Sequence, residues 1–230
     1  MSNNIFQSIQ AVAFDLDGTL VDSIGDLAAS ANAMRCALNM PPLSQDVLLS
    51  FVGDGMARLV HRALTNNHEE LAEQSLWEKG FELYVRHYAE HSTDNTRLYK
   101  HVADTLALLK TLNLPLAVIT NKSQIFAQPI LEKLGVAKEF SIIIGGDTLP
   151  EKKPSALPIL HVCELLRIEP INMLMVGDSI NDILAARNAK SKVVGVSFGY
   201  GNMEKLSNNP ETRPDAVIQD FGQLYDLLKK

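Results

Sequence analysis

The feature that most constrains this chain is a set of short, mainly apolar runs, each bounded by polar residues. The first is AVAF at 11–14, which stops at Asp15. The others are LAVIT at 116–120, FSIII at 140–144, MLMV at 173–176, KVVGV at 192–196 and DAVI at 215–218. A strand covered on both faces is apolar throughout, whereas a half-exposed strand alternates. Helix-like stretches separate the runs: VADTLALLKTL at 102–112, a segment ending at Gly135, another at 158–167, and INDILAARNAK at 180–190. Strands alternating with helices of this length predict an α/β fold built on a doubly wound parallel sheet. Pro129 and Pro158 each precede an apolar helical pattern, and both are read as first-turn prolines.

The alternation fails between about residues 24 and 95, where helical spacing takes over. Ala28, Ala31, Met34, Ala37 and Leu38 repeat at that spacing, and so do Met56, Leu59, Val60, Ala63 and Leu64. A third helix is expected to carry Leu76, Phe81, Leu83, Tyr84 and Tyr88. The segment 23–95 therefore reads as a helical domain inserted into a core made of 1–22 and 96–230. Trp77, Tyr84 and Tyr88 read as packing within the insert. The six histidines read as scattered, without metal-site spacing, and His61 and His87 as solvated or locally satisfied.

In an open parallel sheet, ligands bind beyond the carboxyl ends of the strands. The residues delivered there are Asp15-Leu16-Asp17-Gly18-Thr19, Thr120-Asn121-Lys122, Gly145-Gly146-Asp147 with Lys152-Lys153-Pro154, and Gly177-Asp178-Ser179 with Asp182. Each has an ordinary reading alone: an Asx turn, a helix cap, a solvated lysine pair, a first-turn acid. Together they bring several carboxylates to one edge, where they repel unless a cation sits among them. Oxygen ligands of this kind suit Mg²⁺, which keeps waters and takes a phosphate oxygen. A lysine and a threonine hydroxyl at the same edge offer a phosphoryl group positive charge and a donor.

At these residues the chain resembles the haloacid dehalogenase superfamily. Asp15-Leu16-Asp17-Gly18-Thr19-Leu20-Val21-Asp22-Ser23 is similar to its first motif and Thr120 to its second. Lys153-Pro154 is similar to the third, and Gly177-Asp178-Ser179 with Asp182 to the fourth. The resemblance implies a Rossmann-like core with a mobile helical cap. It further implies that Asp15 is a nucleophile and Asp17 a general acid and base. Mg²⁺ would be held by Asp15, the Asp17 carbonyl and Asp178. Thr120, the Asn121 amide and Lys153 would hold phosphoryl oxygens, and Asp182 would orient Lys153 or a metal-bound water. The segments around Phe51-Val52-Gly53-Asp54-Gly55, Ile119–Lys122, Gly145–Asp147 and Lys152–Pro154 look most like phosphoglycolate phosphatases. Gly53, Asp54 and Gly55 are then expected to dip toward the phosphate. Arg58, His61, Arg62 and Lys122 are the candidates for a substrate carboxylate. A sugar phosphate, a nucleotide, pyrophosphate, a phosphomutase reaction and a non-enzymatic phosphate-binding role stay open beside 2-phosphoglycolate.

Net charge is −6, against non-specific binding of nucleic acid or anionic membrane. No apolar run reaches the roughly 18 residues of a membrane span, and MSNNIFQSIQ shows no secretory signal. Two distant cysteines, Cys36 and Cys163, suit a reducing compartment. The expectation is a cytoplasmic monomer or homodimer acting on a small phosphate ester.

Overall fold

The computed structural model describes residues 5–229. They form two compact units, one made of the chain up to Val21 together with Leu98 onward, the other of Asp22–Arg97.

The first unit is built on six parallel strands: β1 (Ala11–Phe14), β4 (Leu116–Ile119), β5 (Ile142–Ile144), β6 (Met173–Gly177), β7 (Lys192–Val196) and β8 (Ala216–Ile218). Their order is β5-β4-β1-β6-β7-β8. β1 lies inside the sheet, with Val12 opposite Leu116 on one side and Leu174 on the other. Its flanking strands explain why AVAF carries no polar residue. Successive side chains point to opposite faces, so each apolar run feeds two cores at once. Val12, Phe14, Val118, Leu174, Val176 and Val194 join one core. Ala11, Ala13, Ala117, Ile119, Met173, Met175 and Val193 join the other.

Helices cover both faces. α5 (Val102–Thr111), α6 (Gln124–Lys133) and α10 (Gln223–Leu228) contribute to the first core. α7 (Leu157–Leu166), α8 (Ile180–Ala189) and α9 (Met203–Asn208) contribute to the second. Burying each Leu, Ile, Val or Phe fully contributes roughly 1.5–3 kcal/mol before entropy is counted. Pro158 stands in the first turn of α7, as the sequence suggests. Pro129 does not mark a helix start: it lies inside α6, which begins at Gln124. The reason is tertiary. The Asp147 carboxylate accepts from the Gln124 backbone N–H at 2.8 Å and from the Ser123 hydroxyl. That anchor starts the helix ahead of the proline, which removes a single backbone bond in the second turn.

The second unit holds α1 (Ile24–Ala37), α2 (Gln45–Ser50), α3 (Met56–Thr65) and α4 (Gln74–His91). α4 packs against α1 and α3. Gly80 permits the close approach, since a Cβ there would meet Leu64 Cδ1 at 3.0 Å and Met34 Sδ at 3.3 Å. Tyr84 and Tyr88 are fully buried, and Trp77 stacks between His61 and Phe81. Asp26 on α1 is the main polar tie. Its carboxylate accepts from the backbone N–H groups of Asn95 and Thr96 and from both of their side chains. Arg35, also on α1 and buried, donates to the carbonyls of Pro41 and Ala63. The chain crosses between the units at two short strands, β2 (Val21–Asp22) and β3 (Arg97–Leu98), which pair with each other.

Candidate active site

Four strands of the first unit end at one edge, and each delivers the residues expected there. Asp15 directly follows β1, and its backbone N–H donates to the Val176 carbonyl at 2.9 Å. Its side chain accepts from the Leu16 N–H at 2.7 Å and lies 2.9 Å from Lys153 Nζ. Lys153 bridges to a second carboxylate, Asp182, at 2.6 Å. The Lys153 and Asp182 side chains are 1% and 0% exposed, whereas the Lys152 neighbour points to solvent. Of two adjacent lysines, then, the one directly before proline enters the site.

Asp182 is fixed twice over. Its Oδ2 accepts from the Ser179 N–H at 2.9 Å and the Ser179 hydroxyl at 2.6 Å, closing a capping box on α8. Oδ1 is left for Lys153. The contact with Lys153, one of the two roles expected for Asp182, is present. Gly177 makes room for it: a Cβ there would lie 2.2 Å from Asp182 Cγ.

Asp178, at the end of β6, is buried. One oxygen accepts from the Thr19 hydroxyl at 3.1 Å, the other from the N–H groups of Tyr200 and Gly201 at 2.7 and 3.1 Å. The sequence places Thr19 in the first motif without a role of its own, and does not single out the Phe198–Gly201 turn. The only signal was the glycine-rich FGYG at the carboxyl end of β7. Its meaning is steric, since a Cβ on Gly199 would sit 2.3 Å from both Asp178 Cβ and the Gly18 carbonyl oxygen.

Thr120 ends β4, and its hydroxyl accepts from the Lys122 N–H at 3.2 Å. Asn121 Nδ2 donates to the Lys153 carbonyl at 3.0 Å, joining the second and third strand ends. Lys122 is buried and is not turned to solvent as a waiting cation. Its Nζ meets both Asp17 oxygens, at 3.0 and 2.8 Å. Gly145, Gly146 and Asp147 serve α6. A Cβ on Gly145 would strike the Gln124 nitrogen at 2.4 Å, and one on Gly146 the Asn121 carbonyl oxygen at 2.4 Å.

The remaining expected residues lie in the second unit. Gly53 and Gly55 have φ of 123° and 85°, which favour glycine, and Asp54 between them pairs with Arg62 at 2.6 Å. Arg62 also donates to the carbonyls of Phe51 and His68. Arg58 donates to the carbonyls of His68 and Glu69 and pairs with the Glu69 carboxylate at 3.3 Å. His61 Nδ1 accepts from the Ala72 N–H. These groups are engaged in fastening the loops of their own unit.

Three carboxylates face one ammonium at the strand ends. Burial pushes the Asp15 carboxyl up to about 6, against the pull of Lys153. Burial, helped by Asp182 and Asp15, pushes Asp178 up to about 7, against the donors from Tyr200 and Gly201. Burial also works against the Lys153 ammonium, but Asp15 and Asp182 more than offset it and raise its pKa. Negative charge is thus in excess. Asp15, Asp178 and Asp182 each bring a ligand atom within 4.8 Å of the others. An all-oxygen, over-negative set fits a hard divalent cation such as Mg²⁺ and does not fit a soft one.

No helix among the described residues is long and apolar enough to cross a membrane. Residues 12–196 match the family model for haloacid dehalogenase-like hydrolases. A phosphoglycolate phosphatase of Neisseria meningitidis is 53% identical over 99% of this chain and 97% of its own length. The Escherichia coli phosphoglycolate phosphatase is 39% identical over 98% and 94%. The crystal structure of a predicted phosphoglycolate phosphatase from Haemophilus somnus superposes with a TM-score of 0.88 at 34% identity, covering 96% of this chain and 99% of that one. The strand order, the four motif-bearing strand ends and these matches agree, and the chain belongs to the haloacid dehalogenase-like hydrolases.

Proposed function

We propose that this protein is a Mg²⁺-dependent phosphatase that hydrolyses 2-phosphoglycolate to glycolate and phosphate through an aspartyl-phosphate on Asp15. The observation that carries the chemistry is Asp15 at the mouth of an inner strand, with Lys153 at 2.9 Å and the Asp17 carboxylate two residues on. The substrate assignment rests on the names and high identity of the relatives.

An Asp15 oxygen attacks phosphorus as the ester oxygen departs, and Asp17 gives that oxygen a proton. Asp17 then takes a proton from the water that attacks the aspartyl-phosphate, which frees phosphate and restores Asp15. The contact with Lys122 orients the Asp17 carboxylate for both transfers. Lys153, the Thr120 hydroxyl and the Asn121 backbone N–H hold the phosphoryl oxygens, so positioned charge supplies most of the rate. Mg²⁺ would be held by Asp15, the Asp17 carbonyl and Asp178, and would supply positive charge that offsets repulsion between carboxylate and phosphate. Expelling an alkoxide requires an acid, and expelling halide does not, so Asp17 favours ester hydrolysis over dehalogenation. Cys36 and Cys163 are free thiols, and the cytoplasm is the proposed location.

The test is phosphate release from 2-phosphoglycolate, p-nitrophenyl phosphate, sugar phosphates, nucleotides and pyrophosphate, with Mg²⁺ and with EDTA. Mg²⁺-dependent turnover led by 2-phosphoglycolate is expected, with Asp15→Asn lowering it at least about 10³-fold. Preference for another ester would discard the glycolate assignment and keep the chemistry. Full activity in Asp15→Asn would discard the aspartyl-phosphate.

A further inference from the structure

α4 carries a feature that the proposed reaction does not use. His87 and His91 are four residues apart, so they share one face of the helix on successive turns. Their ring centroids lie 4.4 Å apart, with 34° between the planes. Each ring is fastened through Nδ1. His87 Nδ1 lies 2.9 Å from the Ser30 hydroxyl on α1, and His91 Nδ1 lies 2.8 Å from the Asp94 carboxylate. With the proton on Nδ1, each Nε2 keeps its lone pair. Metal-ligating histidines show this arrangement, one nitrogen held by an oxygen acceptor and the other presented to the ion.

Charge points the same way. Burial, and then the neighbouring His91, hold His87 below its ordinary pKa, while Glu90 and Asp94 pull upward. The ring is therefore held as neutral imidazole, the form that ligates, with acids close by to favour a dication. The His91 side chain is 44% exposed, and His87 is half-buried. Nitrogen ligands at about 2.0–2.1 Å from one ion stand about 3 Å from each other. The ring centroids are 4.4 Å apart, and turning of the rings from their 34° tilt must bring the two Nε2 lone pairs onto one ion.

We propose that His87 and His91 form a chelate for one borderline transition-metal ion, Zn²⁺ or Ni²⁺, through their Nε2 atoms. Ser30 and Asp94 orient the rings, and water completes the coordination. The site differs from the carboxylate cluster in ligand chemistry. Imidazole selects the later first-row ions, whereas the carboxylates select hard ones. An ion bridging the last two turns of α4 would fasten the end of the helix, where fraying begins.

The test is a calorimetric titration of the whole protein with Ni²⁺, with Mg²⁺ in excess to fill the carboxylate cluster. One Ni²⁺ equivalent is expected to bind. His91→Ala is expected to weaken it at least tenfold, and Asp94→Ala about tenfold because the orienting acceptor is lost. In the wild type, paramagnetic Ni²⁺ should broaden the imidazole NMR signals of His87 and His91 before those of His61, His68, His101 and His161. Ni²⁺ binding of equal strength in wild type and His91→Ala would overturn the proposal. So would broadening centred on other histidines, a readout that needs no variant.

Discussion

Lys153 is the residue on which the charge balance of the site turns. It is buried between Asp15 and Asp182, so its single positive charge offsets the repulsion between two carboxylates that would otherwise face each other. Lys153→Met is expected to lower kcat at least about 10²-fold, through loss of a phosphoryl donor. It should also destabilise the fold by about 3–5 kcal/mol, because buried charge is left unpaired. Steady-state kinetics and urea unfolding check the two effects separately. Asp26 makes a pH-dependent contribution of the opposite kind. Burial pushes its carboxyl up, but the donors from Thr96 and Asn95 more than offset this and hold its pKa below the ordinary value. A depressed carboxyl binds fewer protons when folded than when unfolded. Its stabilisation is therefore present above the ordinary value of 3.8 and disappears as pH falls through the folded value. Asp26→Ala should cost about 3 kcal/mol at neutral pH and flatten the acid limb of stability against pH, as read by urea unfolding from pH 7 to 3. The proposed catalytic aspartates were legible in the sequence because an apolar run stops at them, and Lys153 because it directly precedes a proline in the loop after β5. Thr19, and the Asp17 partner of Lys122, were not. Their contacts join residues 159 and 105 positions apart, and no local pattern encodes them.

Among the elements, the β6–α8 junction sets the site most tightly. Gly177 ends the strand, Ser179 and Asp182 cap the helix, and the same Asp182 carboxylate reaches Lys153. A methyl group on Gly177 would occupy the space of the Asp182 carboxylate. Gly177→Ala should therefore cost about 1–3 kcal/mol through overpacking. It should lower kcat/KM about 10²-fold by moving Lys153, since ångström-scale misplacement has effects of that size. Gly135→Ala is the control. Its φ is +77° but nothing lies within 4 Å of the added carbon, so stability falls by about 1 kcal/mol and kcat/KM stays unchanged. Element positions were largely readable from the apolar runs. β1 and β7 match their predicted spans, and β4, β6, α5 and α8 end within one residue of theirs. The failures have two causes. α6 begins before Pro129 because Asp147 anchors it from another strand, and α2, α9 and α10 are six residues each, too short for a periodic signal.

At the scale of the whole molecule, the carboxylate cluster links cation binding to the stability of the first unit. Asp15 and Asp178 are held above their ordinary pKa by burial and mutual repulsion, so the folded protein without a cation is under electrostatic stress. Mg²⁺ at about one hundred times its dissociation constant should stabilise that unit by about 2.7 kcal/mol. Calorimetry at pH 7.5 should show one transition rising on Mg²⁺ addition and falling back with EDTA, and Asp178→Asn should lose the response. The crossing at β2 and β3 bears on how such a molecule is made. β1 leaves the ribosome first, yet its two neighbours are β4 and β6, which begin at residues 116 and 173. The segment 22–97 is continuous and rich in near-neighbour helix packing, and its last residue is synthesised before either partner of β1. Contacts close in sequence form quickly, and distant ones wait on loop closure. During translation, all residues of the inserted unit are therefore made while the first strand, bearing the proposed nucleophile at its tip, still lacks both partners. The unit that interrupts the sequence of the other is thus the first to have all of its residues available for folding.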